Sequence, residues 1–391
     1  MRLLVRLATA ALLTVTPVAA GTASAHTTDP TPAPLNTAAD PIPGQYIVTL
    51  DKGTRADSIA QTLGLKPTFS YSTVLNGFAT PLTKVQLEAV RKSPGVKSVT
   101  EDALVSAPPT PANSLRAPAN SWGLDRIDQR LLPLDNDFIS AGNGQGVTAY
   151  IIDTGIDFTH PEFGGRARPG FDAIGDGRNG SDCNGHGTHV AGTVGGTTFG
   201  VARKVNLVSV RVLGCDSRGS WSGILAGFEW VARNAQQPAV LNASLGGDRV
   251  QAVNDAATAV SDNGVLPVIA AGNSNIDACK VSPASAARVV TVGATNRFDQ
   301  ETDFSNWGEC LDIYAPGQNI VSAKLGGGST ELNGTSMAAP HVTGVAALYK
   351  AEHPSAKPAE VQDFLARHST KNTLQSLSGN SPNQLLFTNG L

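Results

Sequence analysis

Between residues 146 and 294 the chain returns repeatedly to short runs dominated by apolar residues, and this pattern constrains the fold more than any other feature. Gly146 to Ile152, Val205 to Leu213, Ala239 to Ser244, Val265 to Ala271 and Val289 to Ala294 show no strict apolar-polar alternation. Helical stretches, Ser222 to Asn234 and Val250 to Asp262, stand between them. A strand that is apolar on both sides needs cover on both faces. The pattern therefore predicts an α/β unit over 117–391, a doubly wound and mostly parallel sheet with helices on both faces. Right-handed crossovers then collect reactive groups at the carboxyl ends of the strands. With hydrophobic residues at 41% of the chain there is material for one large core, and no internal repeat or heptad is present.

The N-terminus carries an export signal. Arg2 and Arg6 precede a small and apolar stretch from Leu7 to Ala20, and Ala23-Ser24-Ala25 has the small residues of a cleavage site. Thr14, Thr16 and Pro17 interrupt the stretch, which is too short to span a bilayer. Residues 1–25 are read as a removed signal peptide, 26–42 as a flexible polar lead-in, and the mature protein as secreted, where disulfides persist. Residues 43–107 read as a small α+β unit. Strand-like Gln45 to Leu50, helical Ala56 to Leu65, strand residues on either side of an Asn76-Gly77 turn, helical Leu82 to Ser93 and strand-like Val96 to Val105 give a split βαβ order. A proline-rich break over 108–116 follows, extended and accessible to cleavage. The formal net charge of -3 argues against nucleic acid as a partner, and no later stretch suits a membrane.

Three segments carry chemistry. Ala149-Tyr150-Ile151-Ile152-Asp153-Thr154-Gly155 ends an apolar strand in a carboxylate, a costly placement unless the charge is used. Asn184-Gly185-His186-Gly187-Thr188-His189 sets a histidine between glycines at a helix start. Asn333-Gly334-Thr335-Ser336-Met337-Ala338 opens an apolar helix with a serine. These segments, in the order Asp, His, Ser, resemble those of the subtilisin-like serine proteases, in the branch that includes proteinase K and aqualysin. Trp122-Gly123-Leu124-Asp125-Arg126-Ile127-Asp128-Gln129 and Phe304-Ser305-Asn306-Trp307-Gly308 extend the resemblance, which covers about residue 43 to the end. The G-x-S-x-G of lipases is absent.

The resemblance implies a secreted serine endopeptidase that acts through an acyl-enzyme and processes itself from a precursor. Ser336 is the expected nucleophile, His186 the base, Asp153 the residue that orients it and Asn273 an oxyanion donor. His189 and His341 are expected to be structural, and His160 a loop residue. The edges expected to hold an extended peptide substrate are Ser244-Leu245-Gly246 on one side and Arg218-Gly219-Ser220 with Trp221 on the other. Ala270, Ala271 and Gly272 are expected to line an S1 pocket with broad, apolar or aromatic preference. Arg218 stands where a small residue is usual, which suggests an acidic preference remote from the cut.

The four cysteines allow three pairings. The resemblance to aqualysin implies Cys183-Cys215 and Cys279-Cys310. It also implies structural calcium, held by Asp312 with the carbonyls of Ala287 and Val289. A second acidic cluster, Asp125, Asp128, Gln129, Asp135 and Asp137, resembles another calcium site of some relatives. Finally, 43–107 resembles the inhibitor-like propeptide of these enzymes, an intramolecular inhibitor removed by a cut between about Val105 and Ser114. Protein substrates, this propeptide and a monomeric state are the expected partners and assembly.

Overall fold

The structure is a computed structural model that describes residues 31–107 and 121–391. The expected signal peptide and the expected linker over 108–116 lie outside these residues. Residues 32–391 form one compact unit.

The N-terminal domain runs β1 (Leu35–Asn36), β2 (Pro41–Leu50), α1 (Ala56–Thr62), β3 (Phe69–Tyr71), β4 (Gly77–Pro81), α2 (Lys84–Arg91) and β5 (Val96–Ser106). From β2 onward this is the β-α-β-β-α-β order expected from sequence. α2 starts where Thr83 and Gln86 cap each other's backbone amides in a capping box. The sheet order is β1-β5-β2-β4-β3. The domain begins earlier than expected, which corrects the reading of 26–42 as a lead-in throughout. The Ala33 amide donates to the Arg91 carbonyl at 2.7 Å, Leu35 and Asn36 pair in parallel with Val99 and Thr100, and β2 already starts at Pro41. Prolines are tolerated on edge strands and at strand starts, so a proline-bearing segment still joined the sheet.

The remaining chain contains α3 (Trp122–Ile127), β6 (Thr148–Asp153), β7 (Ala167–Asp172), α4 (His186–Gly195), β8 (Asn206–Arg211), β9 (Arg218–Ser220), α5 (Trp221–Asn234), β10 (Ala239–Ala243), β11 (Gly247–Asp248) and α6 (Gln251–Asp262). It continues with β12 (Leu266–Ala270), β13 (Val281–Ser282), β14 (Val290–Thr295), β15 (Ile313–Pro316), β16 (Ile320–Ala323), β17 (Ser329–Leu332), α7 (Thr335–Glu352), α8 (Pro358–His368), β18 (Thr370–Lys371) and β19 (Gln384–Leu385). Nine strands form one sheet in the order β18-β19-β15-β14-β12-β10-β6-β8-β7. All neighbours are parallel except β18 and β19.

Side chains from one strand enter opposite cores, as period-2 geometry requires. Ala149 and Ile151 of β6 join the cluster containing Val190 and Ala191 of α4 and Val342 and Val345 of α7. Tyr150 and Ile152 join the cluster containing Ile224 and Phe228 of α5 and Val253 and Ala257 of α6. Both faces are covered, so the doubly wound α/β expectation stands. The second core also takes Ile47, Tyr71, Ala79 and Val105 of the N-terminal domain, which packs over α5 and α6.

Polar contacts fix that docking. The buried Glu229 of α5 accepts the backbone amides of Ser72, Thr73 and Val74 at 2.9–3.1 Å. The Tyr71 hydroxyl donates to the Ser222 carbonyl at 3.0 Å, and the Ser222 amide donates to Asp102 at 3.1 Å. Both implied disulfides, Cys183–Cys215 and Cys279–Cys310, are formed.

A buried ion pair anchors α3. Arg126 is 0% exposed and meets Asp299 through two bonds of 2.6 and 2.8 Å, with its other donors on the Gln129 and Arg130 carbonyls. Removing one partner of such a pair strands the other charge. Arg126→Ala should cost about 3–5 kcal/mol of stability, read from denaturant unfolding of a Ser336→Ala background, and a loss below about 1 kcal/mol would contradict this role.

Candidate active site

Asp153 is the last residue of β6, and the sheet brings its partners to it. In the parallel register Ile152 lies opposite Ala243, so Asp153 and Ser244 leave neighbouring strands side by side at the carboxyl edge. His186 is the first residue of α4, after Gly185 with φ 108°. α4 comes close to β6 because Gly187 has no side chain: a Cβ there would stand 2.2 Å from the Gly155 carbonyl oxygen and 3.1 Å from Asp153 Cβ. Asp153 Oδ1 meets His186 Nδ1 at 2.7 Å and also accepts the Thr154 amide at 2.7 Å, with both residues buried. Burial pushes the imidazole pKa down, but the adjacent Asp153 charge and hydrogen bond outweigh it. Asp182 adds to the same effect, and the net pKa is raised above 6.5.

Ser336 is the second residue of α7, following Gly334 with φ 145°. Its amide is among those that a helix leaves without an intrahelical partner. Pro340 lies four residues on and has no N–H to give the Ser336 carbonyl. The Ser244 hydroxyl fills that role at 3.0 Å. Asn242 donates to Ser244 at 2.9 Å, and Thr343 donates to Asn242 at 2.9 Å, which completes a buried polar chain. The Ser336 hydroxyl itself donates to the Ser244 carbonyl at 3.3 Å. His186 Nε2 and Asp153 Oδ2 are buried with no hydrogen-bond partner among the described residues. Catalytic hydrogen bonds often tighten only when substrate is bound.

Asn273 lies three residues past β12 and one bond network from Ser336. Its Oδ1 accepts the Thr335 amide at 2.9 Å and the Thr335 hydroxyl at 2.8 Å, and its Nδ2 donates to no partner among the described residues. Ala270 and Ala271 are buried at the strand end, followed by Gly272 at φ 104°.

A groove runs beside these residues, and the end of the N-terminal domain lies in it. Leu104, Val105 and Ser106 pair antiparallel with Ser220, Gly219 and Arg218. Ser106 also bridges antiparallel to Gly246, and the Ala107 amide donates to the Ser217 carbonyl at 3.1 Å. The tail is thus a strand between the two expected substrate edges. Val105 is 3% exposed in the cluster with Trp221, Leu213, Leu245 and Val281. The Leu245 side chain is buried, so this edge offers backbone and Gly246 rather than side chains.

Three other histidines contact the backbone. His189 Nε2 faces the Ile320 and Thr330 carbonyls at 3.0 and 3.2 Å, and burial pushes its pKa down to about 3. His341 Nδ1 meets the Met337 carbonyl at 2.8 Å, and burial lowers its pKa to about 4. His160 caps a short helical turn, accepting the Glu162 amide.

Of the expected calcium ligands, Asp312 and the Val289 carbonyl face one point, since Gln362 Nε2 reaches them at 3.2 and 3.3 Å. The Ala287 carbonyl accepts the Thr258 hydroxyl. In the acidic cluster, Asp125 accepts the Asp135 and Asn136 amides, Asp128 the Ile139 amide and Asp135 the Asp137 amide. Asp137 accepts the Phe138 amide, and Gln129 donates to the Leu131 and Pro133 carbonyls. Sequence reasoning missed Asp182, Thr154 and Glu229. For Asp182 the one available signal was its place four residues ahead of His186 in a turn-rich stretch.

Comparison with known proteins identifies the family. Residues 144–384 match the subtilase family, and residues 64–108 match peptidase inhibitor I9. The alkaline serine exoprotease A of Vibrio alginolyticus is 48% identical over 314 residues, 80% of this chain and 59% of that protein. The extracellular serine proteinase of Thermus sp. (strain Rt41A) is 47% identical over 320 residues, 81% of this chain and 77% of that protein. The crystal structure of a cold adapted subtilisin-like serine proteinase superposes with a TM-score of 0.67 at 49% identity, over 68% of this chain and 97% of the other. The chain therefore belongs to the subtilase family of serine peptidases, with an inhibitor I9 domain ahead of the peptidase domain.

Proposed function

We propose that the protein is a secreted endopeptidase that cleaves peptide bonds through Asp153, His186 and Ser336, and that it matures from its own precursor. The observation that carries this reading is the buried Asp153–His186 contact of 2.7 Å at the sheet edge where Ser244 holds the Ser336 turn. The Ser336 hydroxyl attacks the scissile carbonyl while His186 Nε2, which faces no competing partner, takes its proton. The tetrahedral oxyanion is met by the Ser336 amide and Asn273 Nδ2, aided by the positive end of α7. His186 returns the proton to the leaving amine, and water then repeats the cycle on the acyl-enzyme. Asp153 fixes the tautomer with the proton on Nδ1 and stabilises the imidazolium.

Substrate joins the groove as an added strand, between Arg218-Gly219-Ser220 and Ser244-Leu245-Gly246. Residues 104–107 stand in for it and support an apolar S4 site at Trp221, filled by Val105. Ala270, Ala271 and Gly272 support a roomy, apolar S1 slot, and the exposed Arg218 supports an acidic preference further from the cut. Because the tail occupies the groove, the N-terminal domain inhibits in cis until it is cut. The region expected to be cut extends beyond Ala107, outside the described residues. Among the described residues no helix is long and apolar enough to cross a membrane, and the extracellular description of the Thermus relative supports export.

Calcium completes the reading as a structural ion. Asp312 and the Val289 carbonyl lie close enough to share the Gln362 Nε2 donor, which a calcium ion would displace, and burial lifts the Asp312 carboxyl to about 6, as for a carboxylate short of counter-charge. In the second cluster, burial and then like-charge repulsion raise Asp125 and Asp128, a strain that a cation relieves. Calcium held by Asp312 and the Val289 carbonyl would supply charge neutralisation that ties down loops and would take no part in the peptide cleavage.

Purified protein should digest casein, and a serine-directed inhibitor should stop it; digestion that persists with the inhibitor overturns the assignment. Ser336→Ala should leave uncleaved precursor and lower activity by about 10⁵- to 10⁶-fold. For pH, the neutral imidazole is the active base, and Asp153 makes its proton leave at higher pH than usual. The acid limb of kcat/KM should therefore lie above 6.5, and a limb below that value contradicts the assignment. A chelator should lower the midpoint of thermal inactivation in the wild-type protein, and Asp312→Asn should remove most of that sensitivity. An unchanged midpoint rules calcium out.

A further inference from the structure

Asp182 is 5% exposed and accepts five hydrogen bonds. Its Oδ1 takes the Thr154 hydroxyl at 2.9 Å, the Asn184 amide at 2.9 Å and the Gly185 amide at 3.0 Å. Its Oδ2 takes the Thr188 amide at 3.0 Å and the Thr188 hydroxyl at 2.6 Å. Thr154, already bonded to Asp182, accepts the Gly187 amide at 2.9 Å. These partners belong to two elements. Thr154 directly follows Asp153 on the strand, whereas Gly185, Gly187 and Thr188 surround His186 at the start of α4.

We propose that Asp182 is a positioning residue for the peptidase reaction: its carboxylate clamps the His186 turn to the Asp153 strand and adds a second negative charge near the imidazole. The inference rests on reading His186 as the base. Asp153 alone does not fix the pair, since it holds His186 by one atom and its Oδ2 has no partner. Asp182 supplies the missing constraint by holding the backbone on both sides of that contact. A buried carboxylate is costly unless hydrogen bonds and nearby positive charge compensate. The arginine opposite Asp153 in the sheet register, Arg211, is committed to Asp172 at 3.1 Å and Asp176 at 2.6 Å. Arg211 is thus engaged elsewhere, and the imidazolium that forms during each turnover is a cation for Asp182 to stabilise.

The charges that act on His186 are Asp153 on β6 and Asp182 on the preceding loop, and His189 lies one turn along α4. His189 is held down to about 3 and stays neutral across the working range. Both carboxylates oppose the effect of burial and raise His186. Removing the Asp182 charge lets the proton leave at lower pH.

The test compares Asp182→Asn with Thr188→Val, which removes the hydroxyl bond to Asp182 and the one accepted from the Asp157 amide but keeps the charge. In Asp182→Asn the acid limb of kcat/KM should move down by about 0.5–1 pH unit, and kcat should fall about tenfold or more with KM within about twofold. In Thr188→Val the limb should stay in place. An unmoved limb in Asp182→Asn, or an equal shift in Thr188→Val, overturns the proposal. If Asp182→Asn fails to mature, NMR titration of the His186 imidazole in the Ser336→Ala precursor gives the same comparison, and an unchanged pKa there also overturns it. His186→Ala separates the two readings. Full loss of activity with an unmoved Asp182→Asn limb defeats the Asp182 role alone, whereas retained activity in His186→Ala defeats the base assignment itself.

Discussion

A carboxylate at the end of a strand covered on both faces is the constraint around which the peptidase domain is organised. Asp153 is fully buried, and a charge there is tolerated only when neighbouring groups compensate it. Compensation comes from the Thr154 amide, the His186 imidazole and a glycine-lined helix start that allows close approach. Parallel strands bring the rest. β10 delivers Ser244 beside Asp153, Ser244 satisfies the carbonyl that Pro340 leaves open, and that contact seats the Ser336 turn. The serine is therefore held by an acceptor vacancy inside its own helix as well as by the helix itself.

The same edge explains the N-terminal domain. A groove flanked by two backbone edges binds any extended chain, and residues 104–107 are the extended chain nearest to hand. The domain packs over α5 and α6 and presents three consecutive amides to Glu229. A large parallel sheet forms slowly because its contacts are distant in sequence. A domain that docks on two of its helices can assist folding and block the groove with one surface.

Much of this was legible in the sequence. The strand-helix alternation of the large unit and the split βαβ order of the small one rest on short segments whose neighbours decide them. The illegible parts have identifiable causes. The first strand of the N-terminal domain was hidden because prolines at Pro32, Pro34, Pro41 and Pro43 mark an extended linker as readily as an edge strand. Glu229 resembles any polar residue on an amphipathic helix until a second domain covers it. Asp182 resembles a turn residue, because its partners at Thr154 and Thr188 belong to separate segments. The acidic cluster around Asp125 offers its charges to loop amides, which composition alone does not show.

The sequence by itself determined which elements form, which residue types stand at the strand and helix ends, and which cysteines were available to bridge. Only the tertiary structure decided which groups meet. It set Asp153 at 2.7 Å from a histidine 33 residues away, turned the Ser244 hydroxyl toward a carbonyl 92 residues away and laid the end of one domain in the groove of the next. The physical reason is one of range. Helix and strand propensity depends on a few neighbouring residues, whereas burial, charge coupling and hydrogen-bond satisfaction depend on distances that exist only once the chain has folded.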